Sequence, residues 1–521
     1  MLVHLVWRKK QTNLKNSKKG TSCNITPSHL KNTKEIILPY LQNIWNSEII
    51  ESCEFSQNLK LADVTPVHKK DEVTQAKNYR PVSVLPTVSK IFERILQKQI
   101  TNFIEKHLSP YLCGYRKGFS TQTALIALLE KWRESLDKKG FAAAMLMDLS
   151  KAFDTINHEL MIAKLYAYGF SKESLKLILS YLSDRWQRVK IDSSFSTWVE
   201  LLQGVPQGSV LGPLLFNIYI NHLFFELGNI DICNFADDAT PYVCGNNLKN
   251  VVENLEKCSH VAMEWFQNNL LKMNPDKCHL LISGFKNEQI FTRIDNKLWE
   301  SNTVKLLGIT IDKDLKFDDH INEICKKANK KLNALFRLSK VLSFAKKKIL
   351  FNAFFDSQFK YCPLLWMFHS RTANKKINKL QERALRFVYN NYDKSFSELL
   401  NIDNSFTFHE YSIQVLATEI FKYVNGISCE LLQNLFTDKT YYHDIRSKSQ
   451  LMIPSVHTEM YGKNSLRYFG ACLWKIIPTN IKNANSINEF KSKIKKWRPE
   501  NCPCRLCMDY IPELGYINLF E

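Results

Sequence analysis

The sequence predicts a mixed helix-and-strand fold, of α/β or α+β class, that passes into a helical and basic region, and three observations carry this expectation. Residues 141–311 alternate short apolar strands with helical patterns. Within them "FAAAMLMDL" at 141–149 stays apolar until Asp148, as a strand covered on both faces does. From about residue 319 the apolar positions take helical spacing: Ile321, Ile324, Cys325, Ala328, Leu332, Leu335 and Phe336 form one stripe, with Lys326, Lys327, Lys330 and Lys331 off it.

Taken in order, residues 1–54 form a polar segment, Lys- and Asn-rich over roughly its first 35 positions and expected to be partly disordered. Between about 36 and 135, strand-like pieces mix with helical ones. The clearest helix is "VSKIFERILQKQITNFIEKHL", where Val88, Ile91, Phe92, Ile95, Leu96 and Phe103 recur at helical spacing. "QGVPQGSVLGPLLFNIYI" at 203–220 begins as a Gly- and Pro-rich turn and runs into an apolar helix; its glycines allow close backbone approach to a ligand, though an ordinary loop has the same composition. "IDICNFADDATPYV" reads as strand, tight turn, strand, with Asp237 and Asp238 at the turn. Helical patterns continue through "KLQERALRFVY" to about 425, and the remainder is mixed.

Composition narrows the function classes. A chain of 521 residues with 45% hydrophobic and 12% aromatic content buries a large core and is not a disordered protein. Its 71 Lys and Arg against 51 Asp and Glu leave a formal charge of +20, which suits a polyanion, either nucleic acid or an anionic membrane surface. Single clusters such as "KKANKK" or "KSKIKKWR" also read as solvated helix faces. No apolar stretch reaches the length of a membrane span, and "MLVHLVW" is too short for a signal peptide, so an intracellular protein is expected. Its 14 cysteines then read as reduced thiols, most of them core residues. "CPCRLC" alone has metal-like spacing. Cys502, Cys504 and Cys507 offer three ligands where Zn²⁺ takes four, and an inert tail is the equal alternative.

The aspartates carry the chemistry. A carboxylate ending a buried strand, as Asp148 does, calls for a cation. Adjacent aspartates in a turn are by themselves usually structural. If neighbouring strands bring Asp148 and Asp237 together, however, they can bridge two Mg²⁺ ions about 3.5–4 Å apart, the arrangement of phosphoryl transfer.

"MLMDLSKAFDTINHELMIAKL", "QGVPQGSVLGPLLFNIYIN", "NFADDATPY", "LLKMNPDKCHLLISG" and "VKLLGITID" resemble, in order and spacing, the palm motifs of reverse transcriptases of non-LTR retrotransposons of the jockey-like, LINE type. "LADVTPVHKKDEVTQAKNYRPVSVLPTVSKIFERIL" and "CGYRKGFSTQTALIALLEKW" resemble the fingers motifs of that family. The resemblance covers roughly residues 55–400 and implies an α+β right-hand polymerase. Fingers and palm would span 55–312, a helical basic thumb 313–425, and a mixed C-terminal region with the Cys-rich tail 426–521.

Residue by residue, the resemblance implies that Asp148, Asp237 and Asp238 are the catalytic carboxylates, with the backbone carbonyl of Leu149 completing a metal shell for two Mg²⁺ ions, or Mn²⁺. Phe153 would block a ribose 2′-hydroxyl. Gln207 and Gly208 would pack against the nascent base pair and the dNTP, Lys69 or Lys70 with Arg80 would clamp the triphosphate, and Lys277 would protonate the leaving pyrophosphate. "KLLGITID" would be the hairpin that grips the primer end. The implied partners are an RNA template, a DNA primer or target DNA, and dNTPs, with no membrane, in a nuclear or cytoplasmic ribonucleoprotein.

Members of that group usually carry an apurinic-endonuclease-like domain ahead of the polymerase. Only about 55 residues precede the fingers motifs, so such a domain is expected to be missing, and no RNase H constellation stands out downstream. An RNA-directed DNA polymerase is the favoured reading, with a catalytically silent nucleic-acid-binding remnant and a purely structural protein as the others.

Overall fold

The computed structural model describes residues 25–69, 71–228, 230–274, 277–284, 301–438 and 450–498, with two further short strands at Tyr510–Ile511 and Gly515–Tyr516. Its main strands are β1 (Ala62–His68), β2 (Tyr79–Val84), β3 (Phe141–Leu146), β4 (Arg185–Ile191), β5 (Ser194–Phe195), β6 (Val199–Leu201), β7 (Asp231–Phe235), β8 (Asp238–Gly245), β9 (His279–Ser283), β10 (Thr303–Leu306) and β11 (Ile309–Asp312).

The apolar run at 141–149 builds the centre. β3 lies inside an antiparallel sheet of order β7-β8-β3-β9. Alternation splits its side chains between two cores. Ala142, Ala144 and Leu146 pack with Leu125, Leu129 and Trp132 of the Thr121–Asp137 helix. Ala143, Met145, Met147 and Leu149 pack with Phe216 of the Gly212–Ile220 helix and Trp265 of the Leu248–Asn268 helix. Both faces are covered, which is why the run has no polar position before Asp148. Three successive alanines let helices come close on either side.

A second sheet has the order β2-β1-β4-β5, with β6 paired to β4; β1 runs antiparallel to β2 and parallel to β4. It meets the loop before the Gly212–Ile220 helix at one point. The Ser83 N–H donates to the Gln207 carbonyl at 2.7 Å. Gly208 has φ +117°, and a Cβ there would meet the Ser83 carbonyl oxygen at 2.6 Å, so this contact requires glycine.

Glu93, on the Thr87–Ile104 helix, is wholly buried. It accepts the Ser89 hydroxyl at 3.0 Å, the Tyr181 hydroxyl at 3.2 Å, and the backbone N–H groups of Val210 and Leu211 at 2.7 and 3.2 Å. Those amides lead into the Gly212–Ile220 helix. A carboxylate there satisfies donors that a helix start leaves open and complements its dipole.

Helices Pro27–Asn32 and Lys34–Asn43 continue into a π-helical turn, Ile44–Ile50. Its Trp45, Ile49 and Ile50 are buried, and Trp45 stacks on Phe92 at 5.7 Å. From Pro27 the segment is helical; the disorder expected over roughly the first 35 positions falls mainly on residues 1–24, which lie outside the described residues.

The Asp318–Arg337 helix buries the stripe read from sequence, except that Phe336 is half-buried, and leaves Lys326, Lys327 and Lys330 exposed. It lies against the Arg371–Tyr389 helix, where Arg383 donates to Asn329 and Asn333 at 2.7 and 2.8 Å. The C-terminal region is gripped by the Thr121–Asp137 helix: Glu130 accepts the N–H groups of Leu466 and Arg467 at 3.0 and 3.1 Å, and Asp137 accepts that of Thr458 at 2.7 Å. Among the described residues no helix is long and apolar enough to cross a membrane.

Replacing Glu93 by Ala is expected to cost about 3 kcal/mol of stability, because it strands four buried donors. Glu93→Gln, which keeps an acceptor, should cost less than half of that; denaturant unfolding measures both.

Candidate active site

β7 and β8 are joined by a two-residue turn. Phe235 pairs with Asp238, leaving Ala236 and Asp237 at the tip. Ala236 has φ 58°, a left-handed conformation that costs a residue with a Cβ about 1 kcal/mol or more. Its surroundings enforce it. The buried Asn234 amide donates to the carbonyls of Ala236 and Asp238, both at 3.2 Å. Gly114 lies so close that a Cβ on it would meet the Ala236 nitrogen at 2.4 Å, and the Gly114 carbonyl is itself held by the Asn217 amide at 2.7 Å.

The register of β3 against β8 supplies the third carboxylate. The ladder runs from Phe141–Gly245 to Ala144–Tyr242, and Met147 still pairs with Ala239, its N–H donating to the Ala239 carbonyl at 3.0 Å. One step further sets Asp148 opposite Asp238. Side chains so opposed stand about 5 Å apart at Cβ. On the other side Leu149 pairs with Met273: the Asp148 carbonyl accepts the Asn274 N–H at 2.8 Å, and the Ser150 N–H donates to Lys272 at 2.7 Å. The Leu149 carbonyl is thereby turned the opposite way, toward the hairpin.

Three like charges here are costly, and the site shows it. Burial, with a further push from Asp148, raises the Asp237 pKa, while Arg80 and Lys69 oppose the rise. Burial, followed by Asp237 and Asp148, pushes Asp238 up to about 6 against the pull of Lys69 and Lys277. Asp148 finds its own cation: Lys277 Nζ lies 2.7 Å from its Oδ2. A set of carboxylate oxygens and a backbone carbonyl with unrelieved negative charge fits a hard divalent cation. Among the described residues no group of three His, Cys, Asp or Glu side chains already stands ready to hold an ion, and the Asp148 carboxylate is turned to Lys277.

Phe153 forms one wall. Its ring stacks on Phe216 with centroids 4.6 Å apart and meets Tyr115 edge-on at 6.1 Å. Gln207 donates its side-chain amide to Asp154 at 2.8 Å, so Gln207 and Gly208 tie together the strand β2, the turn and the segment after Asp148. Lys69 and Arg80 are exposed beside one another, on the strand pair whose register matches Val67 with Arg80. The hairpin β10–β11 turns through Leu307 and Gly308, and the Tyr361 hydroxyl donates to the Leu307 carbonyl at 2.7 Å. Lys70, Cys502, Cys504 and Cys507 lie outside the described residues. Sequence reasoning missed Asn234, Asp154, Gly114 and Tyr115 as parts of the site. The only signal for the last two was the Gly-Tyr pair inside a fingers-like motif.

Residues 67–311 match the family model described as reverse transcriptase (RNA-dependent DNA polymerase). This segment is a reverse transcriptase domain. Relatives that it matches include proteins of transposable elements. The chain is 26% identical over 383 residues to the probable RNA-directed DNA polymerase from transposon BS of Drosophila melanogaster, covering 70% of this chain and 42% of the relative. It is 26% identical over 299 residues to the RNA-directed DNA polymerase from mobile element jockey of the same fly, covering 55% and 32%. The chain thus spans about two-fifths of the length of the BS relative. Among solved structures, apo telomerase from Candida tropicalis aligns at TM-score 0.38 and 12% identity over 74% of this chain and 71% of that one, too distant to bear on the chemistry.

The Asp238 pKa has a stability consequence. A carboxyl raised from 3.8 to about 6 stabilises the fold below pH 3.8, and that stability is lost as pH rises through 6. In chelator at pH 7.5, Asp238→Asn is therefore expected to raise the melting temperature by roughly 2 °C. The gain should vanish at pH 4, and calorimetry at the two pH values checks it.

Proposed function

We propose that this chain is an RNA-directed DNA polymerase that joins dNTPs to a primer 3′-hydroxyl on an RNA template. The observation that carries the reading is the cross-strand opposition of Asp148 to the Asp237–Asp238 tip, with Lys69 and Arg80 exerting charge on the same carboxylates. Two Mg²⁺ ions, or Mn²⁺, held by Asp148, Asp237, the Leu149 carbonyl and more weakly Asp238, would supply activation of the attacking hydroxyl and charge neutralisation.

The chain's own residues do the rest. Lys69 and Arg80 bind the triphosphate oxygens, Arg80 in a fork that a lysine cannot offer. Phe153 fills the space that a ribose 2′-hydroxyl would need, so the substrate is a deoxynucleotide. Gln207, oriented by Asp154, and Gly208, pressed on Ser83, form the floor beneath the nascent pair. Lys277 neutralises Asp148 in the free protein; when it leaves that carboxylate it carries a proton within reach of the departing pyrophosphate. Exposed lysines of the Asp318–Arg337 helix track the duplex backbone, except Lys327, which Glu323 holds at 2.6 Å. Template choice is left to base pairing.

Primer extension on an RNA template with Mg²⁺ and dNTPs tests this directly. Asp237→Asn is expected to lower the rate about a thousandfold or more, the order lost when a group facing developing charge is removed. Equal extension by both proteins would overturn the role given to these carboxylates, and retention of template binding with no extension by either would replace this reading with a silent nucleic-acid-binding remnant.

A further inference from the structure

Tyr115 stands in the same cleft, and the polymerase reading leaves it without a role. It is an aromatic residue at φ 58°, a conformation disfavoured for bulky side chains that persists only where neighbours enforce it. Both neighbours do. On one side Gly114 is pressed against the Ala236 backbone. On the other, the Arg116 guanidinium donates to Glu105 Oε1 at 3.1 and 2.9 Å and to the carbonyls of Ser109 and Leu112 at 2.7 and 3.1 Å. It also lies over the Phe119 ring at 4.5 Å. This much anchoring holds in place a side chain that is itself 55% exposed, so burial of Tyr115 is not what the strain serves.

The strain serves where the ring goes. Tyr115 meets Phe153 at an interplanar angle of 89°, while Phe216 stacks on Phe153 at 25°. Phe153 is thus held by a perpendicular ring and a parallel one, both favourable aromatic geometries. Burial and then the Asp237 charge raise the Tyr115 hydroxyl's pKa while Arg80 opposes the rise, so the hydroxyl lies within reach of both fields. A ring that must turn away a single hydroxyl group works only if it cannot swing aside. Phe216 is fully buried, but it contacts one side only.

We propose that Tyr115 is a positioning residue for sugar selection: together with Phe216 it locks the Phe153 ring in the orientation that excludes a ribonucleotide. This rests on the polymerase reading above. The loop Gly114–Arg116 would then couple two jobs through one backbone, seating the Asp237 turn through Gly114 and fixing the gate through Tyr115.

Single-nucleotide primer extension with the full chain compares a dNTP with the matching rNTP for the wild type, Tyr115→Phe, Tyr115→Ala and Tyr115→Gly. The glycine variant removes the ring where φ 58° is unstrained, so its fold is kept; melting temperatures confirm this. Preference for the dNTP, as the ratio of kcat/KM values, is expected to fall about tenfold in the Ala and Gly variants. The Phe variant, which keeps the ring, should retain the wild-type ratio. An unchanged ratio in both Ala and Gly variants, with extension still dependent on Asp237, overturns this role and leaves the polymerase standing. Extension that ignores Asp237→Asn overturns both.

Discussion

The register of β3 against β8 is the constraint on which the rest depends. The Met147–Ala239 pair places Asp148 across from Asp238, and the two-residue turn places Asp237 beside it. Three carboxylates brought this close repel one another, and burial withdraws the water that would screen them. A sheet fixes positions more rigidly than a loop, so the repulsion cannot be relieved by moving apart. It is relieved by cations, of which Lys277, Lys69 and Arg80 are those the chain provides.

The surrounding elements read as supports for that repulsion. Asn234 and Gly114 hold Ala236 in a left-handed turn, and Asn217 holds Gly114. Two cores clamp β3 from both faces through three alanines, so its end cannot fray. Buried Glu93 ties the helix after Gln207 and Gly208 to the Thr87–Ile104 helix, and Ser83 ties that loop to the outer sheet. Apart from the local Asn234 contacts, these carboxylate and amide contacts join segments far apart in sequence. The cleft is therefore a product of tertiary structure, although its reactive residues sit in short motifs.

That division explains what was legible in the sequence. The β10–β11 hairpin was implied only by the family resemblance, whereas β3, the β7–β8 hairpin and the Asp318–Arg337 helix follow local rules of alternation, turn chemistry and helical spacing and were readable from residues alone. So was the pairing of Asp148 with the double aspartate, once a shared cation was considered. The packing of Trp45, Ile49 and Ile50 was not readable, because these apolar residues are diluted by polar ones and gain meaning only against Phe55 and Phe92. Asn234 and Asp154 looked like ordinary polar neighbours, and only the folded chain shows one holding the turn and the other aiming Gln207. Tyr115 was hidden for a different reason: neither a positive φ nor a perpendicular ring leaves any trace in composition.

If the aspartates form a strained polyanion that a divalent cation relieves, binding of that cation must expel the proton that repulsion keeps on Asp238. Calorimetric titration of Mn²⁺ into the metal-free chain, repeated in buffers of different ionisation enthalpy, counts that proton. Release is expected at pH 6, where Asp238 is about half protonated, and none at pH 8; binding itself should be lost in Asp148→Ala. Binding without proton release at pH 6, or binding as tight in Asp148→Ala as in the wild type, would show that these carboxylates do not share an ion.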